Sequence, residues 1–226
     1  MHSEDQIKKF VDGLSLPSYH KADAADMLLL AVREGADVSK YLPALIKALE
    51  NPEIWAVRKN IVDILKILLE REVDISSAIS TLVGRLTTDE QYDEVTHEAQ
   101  NILKVLIADK KTQNLVLESL VRRIERDLED NHNIFLVHMF DNLTENLPFH
   151  EEEMLRRKIM DKVKVKMNKL VRNEKDPVKK LELKMLFTSY FKRYFQSSER
   201  MELELKTMRL PRKDRGKFRT MKRIRL

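Results

Sequence analysis

The chain of 226 residues contains no cysteine and only four glycines, and 35% of its residues are charged, with a net charge of +5. Without cysteine it cannot form a disulfide framework, a thiolate zinc site or a thiol nucleophile, and without clustered glycines it lacks the usual phosphate-binding loops. Because Leu, Lys, Glu, Arg and Ile dominate, the composition is typical of a helical protein and argues against a sheet protein rich in turns.

The amino-terminal segment predicts two helices. Ser3 and Gln6 have the spacing of a capping box, and an apolar face follows them as far as Gly13, where we expect the first helix to stop. The second helix is predicted at about 18–34, with Gly35 ending it.

The middle of the chain predicts alternating short and long helices. A short helix opens at Ser39, and Asn51-Pro52 is a start signal for its longer partner, since asparagine caps helices and proline is favoured at the first helical position. The next pair combines residues 75–86 with a helix that follows a capping box at 88–91. Further helices are expected at 115–128, 134–147 and 151–172, and after the start signal Asp176-Pro177. The stripes predicted to face the core are Val57, Ile61, Ile64, Leu65 and Leu68 in one long helix, and Val95, Ala99, Ile102, Leu103 and Leu106 in the next.

One sequence pattern occurs twice at a fixed distance. Residues 26–38 are matched by residues 63–75, 37 positions later, and the pattern continues through Leu45, Leu82 and, after one inserted residue, Leu120. Such a period is typical of stacked helical repeats, whose units bury their apolar faces only against one another. We therefore predict these leucines in the core of an all-α repeat domain, residues 1–196, followed by a charged helix and basic tail at 197–226. The five predicted helix pairs are 3–34, 39–71, 75–108, 112–147 and 150–196.

The segments Leu42-Pro43-Ala44-Leu45 and 51–58 resemble a HEAT repeat. In that family a first helix with a Leu-Pro-x-x-Leu-like face precedes a loop with proline and a second helix that opens with Val-Arg, here Val57-Arg58. Asp63 also lies where many HEAT repeats carry an aspartate. The resemblance implies a right-handed α-α superhelix, a HEAT/armadillo-like solenoid, whose second helices line a concave binding face.

By this resemblance, the second helix of residues 39–71 carries the candidate partner-binding side chains. Structural roles compete with binding for each of them. The tryptophan can pack at the corner between helices, the arginine and the aspartate can form a ladder between repeats, and the lysines can simply be solvated. These candidates are Trp55, Arg58, Lys59, Asp63 and Lys66.

Signals for catalysis and for metal binding are thin. No two of the six histidines have the spacing of a helical zinc site, and the acidic run 151–153 lies where negative charge favours a helix start. Some HEAT-like proteins of comparable length are alkylpurine DNA glycosylases, with an aspartate and paired tryptophans in a basic groove. This chain has one tryptophan, and its half around Asp63 is acidic. We therefore expect no enzymatic activity, no cofactor, no bound metal and no small-molecule substrate.

Charge is segregated along the chain. Residues 151–226 hold 25 lysines and arginines against 11 aspartates and glutamates, a net charge of +14, whereas residues 1–150 have a net charge of −9. The last segment, 209–226, carries Asp214 as its only acid and too little apolar surface to fold alone. It is predicted to bind nucleic-acid phosphates without reading bases, to lie on an acidic protein or an anionic membrane, or to fold back on the acidic repeats. Its candidate polyanion-binding residues are Arg209, Arg212, Lys213, Arg215, Lys217, Arg219, Lys222, Arg223 and Arg225.

Two functions follow as expectations. The first is a non-enzymatic helical-repeat scaffold for protein–protein interaction, and the second is an accessory factor that binds nucleic acid or a ribonucleoprotein through the basic carboxyl-terminal region. The acidic amino terminus is unlike a signal peptide, and the longest apolar run, 27–32, is far shorter than the roughly 20 residues of a membrane span. We therefore expect a soluble, cytoplasmic protein without a transmembrane segment.

Overall fold

The computed structural model describes residues 2–16, 18–50, 54–86, 94–130 and 135–185, most of which are helical. None of these residues forms a strand, so the predicted all-α class is confirmed. Two short 3₁₀ helices, η1 (Ser39–Tyr41) and η2 (Ser76–Ala78), precede α3 and α5. A tenth helix, α10, begins at Pro177 and is described as far as residue 185. The other helices are α1 (Glu4–Gly13), α2 (Ser18–Arg33), α3 (Leu42–Glu50), α4 (Trp55–Glu70), α5 (Ile79–Arg85), α6 (Glu94–Ala108), α7 (Gln113–Asp130), α8 (Phe135–Thr144) and α9 (Phe149–Asn173).

The chain divides into two compact units, Met1–Val163 and Lys164–Leu226. The division lies inside α9, and the predicted end of the repeat domain at residue 196 lies outside the described residues. The first unit contains α1 to α8 and the beginning of α9. In the second unit the structure describes the end of α9 and the beginning of α10.

Helices of the first unit pack in two series. The even-numbered helices contact one another in order, α2 with α4, α4 with α6 and α6 with α8, and the odd-numbered helices do the same from α3 to α7. Each even-numbered helix also packs on the odd-numbered helix before it. Asp26 pairs with Asn60 and, farther along both helices, Arg33 pairs with Asp63. Since these contacts advance in the same order, α2 and α4 run in the same direction.

The core follows the register of the sequence repeat. Leu45 on α3, Leu82 on α5 and Leu120 on α7 are all fully buried, which confirms the prediction for this repeated position. All ten residues of the apolar stripes predicted for α4 and α6 are also buried. Burying a leucine side chain stabilises a fold by about 1.5–3 kcal/mol, so the repeated positions contribute much of the driving force for stacking.

The helix ends of the first pair form as predicted. The Ser3 amide donates to Gln6 Oε1 at 2.9 Å, and Ser3 Oγ accepts the Gln6 amide at 3.3 Å, so the capping box is present. Gly35, with φ of 103°, ends α2. The left-handed turn lets the Ala36 amide reach back to the Ala31 carbonyl at 2.9 Å, which satisfies a carbonyl at the helix end.

Gly13 has a packing role beyond that of a helix end. It is buried, and a Cβ atom at this position would lie 2.6 Å from the Ala24 Cβ of α2. Contacts that short do not occur between real Cβ atoms. Glycine therefore lets α1 approach α2 closely.

The two predicted Asx-Pro helix starts have different outcomes. Asp176-Pro177 is confirmed, because α10 begins at Pro177 and Asp176 Oδ1 accepts the Val178 amide at 2.9 Å. The prediction that Pro52 occupies the first position of α4 is wrong, since Ile54 is extended and helical geometry begins only at Trp55. Residues 51–53 and the predicted capping box 88–91 lie outside the described residues.

Candidate functional site

A largely polar surface lies on the side of α2, α4 and α6 opposite to their buried stripes. On each helix the exposed and partly exposed residues recur every three or four positions, as expected for one face of an amphipathic helix. We call this surface the second-helix face. It comprises Asp23, Asp26, Met27, Leu30, Arg33, Glu34, Lys59, Asp63, Lys66, Ile67, Glu70, Glu94, His97, Glu98, Lys104 and Val105.

Ion pairs link the neighbouring helices α2, α4 and α6 on the second-helix face. Arg33 of α2 lies 3.7 Å from Asp63 of α4, measured between Nη2 and Oδ2. Lys59 Nζ lies 3.2 Å from the same carboxylate and 3.5 Å from Glu94 of α6. The predicted candidates Lys59 and Asp63 are therefore brought together in a network that spans three helices.

The network continues through two lysines at equivalent repeat positions. Lys66 of α4 donates to Glu98 of α6 at 2.9 Å, and Lys104 of α6 donates to Glu145, which follows α8. Exposed ion pairs contribute only about 0.2–1 kcal/mol each. Together with the pairs above, they link α2 to α4, α4 to α6 and α6 to the residue that follows α8.

Three of these groups have pKa values that are shifted in the direction that favours their charged forms. The hydrogen bond to Glu98 raises the pKa of Lys66. Burial alone lowers the pKa of Lys59, but its bonds to Asp63 and Glu94 outweigh burial, and the pKa is raised. Burial also opposes ionisation of Glu98, yet Lys66 holds the pKa of that carboxyl below its ordinary value. A general acid or base needs a pKa near the working pH. The pKa values of Lys59, Lys66 and Glu98 are shifted farther from neutral pH, which disfavours a role in proton transfer.

Arg58 is the one predicted candidate on α4 whose side chain is buried. Its side chain is buried, with 7% exposure, whereas its neighbour Lys59 is partly exposed. It lies close enough to Arg85 to affect it: burial lowers the pKa of Arg85, and the charges of Arg58 and Arg123 lower it further. Asp63 pairs with Arg33 of α2 and with Lys59 of its own helix.

Trp55 lies at the first position of α4 and is 42% exposed. The ring is thus accessible to a partner while part of it packs against the protein. Tyr92, which lies 37 residues after Trp55 in the sequence pattern, is outside the described residues. A packing role for this position at the corner between helices therefore stays a prediction.

The second-helix face also carries an apolar row that was not predicted from the sequence. Leu30 of α2 and Val105 of α6 are 46% and 56% exposed, and Ile67 of α4 is partly exposed. These three residues occupy the same repeat position, since they are separated by 37 and 38 residues. That coincidence was visible in the sequence, but only the structure distinguishes this exposed position from the buried repeat positions.

The second-helix face is acidic overall. It carries seven carboxylates and four lysine or arginine side chains, and the described ion pairs occupy all four of these cations. Such a surface repels nucleic-acid phosphates. The predicted polyanion-binding residues, Arg209 to Arg225, lie outside the described residues.

Comparisons with known proteins place no constraint on the site. Searches against protein families, curated proteins and solved structures find no match. In the described part of the chain, no group of three or more histidine, aspartate or glutamate side chains is arranged to hold a metal ion. The helices described here also include none whose length and apolar character suit a membrane span.

Proposed function

We propose that the protein is a non-enzymatic, cytoplasmic scaffold that binds a protein partner through the second-helix face, and that its first unit is a right-handed HEAT/armadillo-like solenoid. The observation that carries this proposal is the row of exposed apolar side chains, Leu30, Ile67 and Val105, on three helices packed in order. Exposed apolar side chains that recur at one repeat position suit a binding surface, because the core does not need them.

The ion pairs support the same proposal. They fix α2, α4 and α6 side by side before any partner arrives, so binding would not have to order the face. Preorganisation of this kind lowers the entropic cost of association. The raised lysine and lowered glutamate pKa values also favour binding over acid–base chemistry on this face.

Affinity capture from the protein's own cell extract tests the proposal. Val105→Glu places a charge in the apolar row, and Leu115→Glu is the matched control, because Leu115 is 47% exposed on α7, in the odd-numbered series. We expect a protein captured by the wild type to be lost with Val105→Glu and retained with Leu115→Glu, at unchanged melting temperature. Equal capture by both variants would contradict binding through this face.

A second candidate function rests on charge. Residues 151–226 have a net charge of +14, and lysines and arginines recur through to Arg225. A basic segment of this kind suits a sequence-tolerant nucleic-acid or ribonucleoprotein factor. Nuclease treatment and moderate salt distinguish the two functions: capture through an apolar row survives both, whereas capture through phosphates is lost.

A further inference from the structure

The apolar row on the second-helix face is narrow. On α4, Ile67 lies between charged neighbours, Lys66 and Glu70, and on α2 Leu30 is followed by Arg33 and Glu34 on the same side. α4 and α6 therefore each offer one apolar side chain to a ligand, and α2 offers two, because Met27 beside Leu30 is 39% exposed. A bound helix presents an apolar stripe about 100° wide, which is too broad for a row that is only one or two side chains wide on each helix and is bordered by charges.

The spacing of the row suits an extended ligand. Packed helices lie about 8–10 Å apart, and α2, α4 and α6 pack in order, so we expect Leu30, Ile67 and Val105 to repeat at about that interval. A polyproline II segment has three residues per turn and rises about 3.1 Å per residue, so every third side chain returns to the same side after about 9.3 Å. A β-strand presents same-side residues only about 6.6–6.8 Å apart. This spacing is shorter than that between packed helices, so successive strand side chains would not match successive side chains of the row.

The net negative charge of the second-helix face determines which side chains of a ligand are favourable between its apolar anchors. Its carboxylates outnumber its cations, and each of its cations already faces a carboxylate of the protein. Basic side chains on a ligand would therefore meet attraction along the row, and acidic ones repulsion.

We propose that the second-helix face binds a basic protein segment in the polyproline II conformation, which places an apolar side chain on each of Leu30, Ile67 and Val105 and lysine or arginine side chains between them. This inference rests on the proposed function and names the class of partner segment. The segment crosses the three helices instead of running along one of them.

Fluorescence polarisation with the full-length chain and synthetic peptides tests the partner class. The probe is a labelled peptide of four Leu-Lys-Pro repeats. Three matched peptides serve as controls: one of the same composition with its leucines adjacent, one with glutamate in place of lysine, and a basic helical peptide with leucine at every seventh position. We expect the probe to bind at least tenfold more tightly than each control. No binding of the probe, or equal binding of any control, would overturn the inference.

Two variants locate the binding. Val105→Ser should weaken binding of the probe about tenfold, and Leu115→Ser should leave it unchanged, with melting temperatures of both variants close to that of the wild type. Equal affinity of the two variants would also overturn the inference. Loss of partner capture with Val105→Glu, together with failure of the peptide, would leave the proposed scaffold function standing and remove only this partner class.

Discussion

Gly35 and Glu72 occupy the same position in successive repeats, and both have a left-handed backbone, with φ values of 103° and 61°. Each follows an even-numbered helix and lets the next amide reach back over the turn, from Ala36 to Ala31 and from Val73 to Leu68 at 3.0 Å. Glycine adopts this conformation without penalty, whereas a residue with a Cβ atom pays about 1–2 kcal/mol. The repeat therefore preserves the turn even where the favourable residue is missing.

Replacing Glu72 with glycine should stabilise the protein. Relief of backbone strain should stabilise the folded state by more than the larger conformational entropy of glycine stabilises the unfolded chain. We therefore expect the free energy of unfolding to rise by about 0.5–1 kcal/mol. Urea unfolding measures it, with Gly35→Ala as the reciprocal change that should destabilise. A lower stability of Glu72→Gly would show that the turn does not hold this residue in the left-handed conformation.

Truncation of Leu82 tests the repeat register. Because this side chain is fully buried on α5, Leu82→Ala should lower the free energy of unfolding by about 2–5 kcal/mol. Leu115→Ala changes the same residue type at an exposed position of α7, and should alter stability by less than about 0.5 kcal/mol. Similar effects of the two changes in thermal unfolding would mean that the proposed register is wrong.

The Asp74 carboxylate should make stability depend on acid pH. It accepts the Ser76 amide at 2.9 Å, as Asp37 accepts the Ser39 amide, and the backbone hydrogen bond lowers the pKa of each carboxyl. Because the pKa of Asp74 is lower in the folded state, its ionised carboxylate stabilises the fold fully above the unfolded-state pKa of about 3.9. This stabilisation is lost as the pH falls through the folded-state pKa.

Two variants of Asp74 separate the hydrogen bond from the charge. Asp74→Ala should lose about 0.5–1.5 kcal/mol at neutral pH, whereas Asp74→Asn keeps an acceptor that does not titrate. The advantage of the wild type over Asp74→Asn should therefore shrink between pH 7 and pH 2 in urea unfolding. A gap that is independent of pH would refute this assignment.

Deletion of residues 209–226 tests the second candidate function. If this segment captures phosphates, the truncated chain, which ends at Met208, should bind single-stranded RNA of random sequence orders of magnitude more weakly at low salt. The log–log dependence of affinity on salt should also become shallower. A scrambled tail of the same composition should restore binding, because no bases are read. Unchanged binding by the truncated chain would remove the nucleic-acid function.

Much of the fold could be predicted because it depends on local periodicity. The burial of Leu45, Leu82 and Leu120 follows from one repeat, and the capping box at Ser3 depends on residues three positions apart. The ion pairs of the candidate site join residues that are far apart in the sequence. Lys66 meets Glu98 across 32 residues and Lys104 meets Glu145 across 41, so no single spacing in the sequence reveals the ion pairs.

Arg58 illustrates why the candidate site was only partly predictable. The sequence places it one residue from Lys59, and the HEAT resemblance assigns both to the binding face. One residue on a helix is a rotation of about 100°, and this rotation separates a buried guanidinium near Arg85 from an ammonium on the second-helix face. Which side of α4 a residue occupies therefore depends on how the neighbouring helices pack, and not on its position in the sequence pattern alone.

Site-specific photo-crosslinking in cells tests the central claim most directly. A photoreactive phenylalanine analogue is placed at Val105, in the apolar row, or at Leu115, on the odd-numbered series of helices. We predict a nuclease-resistant protein adduct from position 105 and none from position 115. Adducts from position 115 alone, or from neither position, would contradict a protein-binding role for the second-helix face.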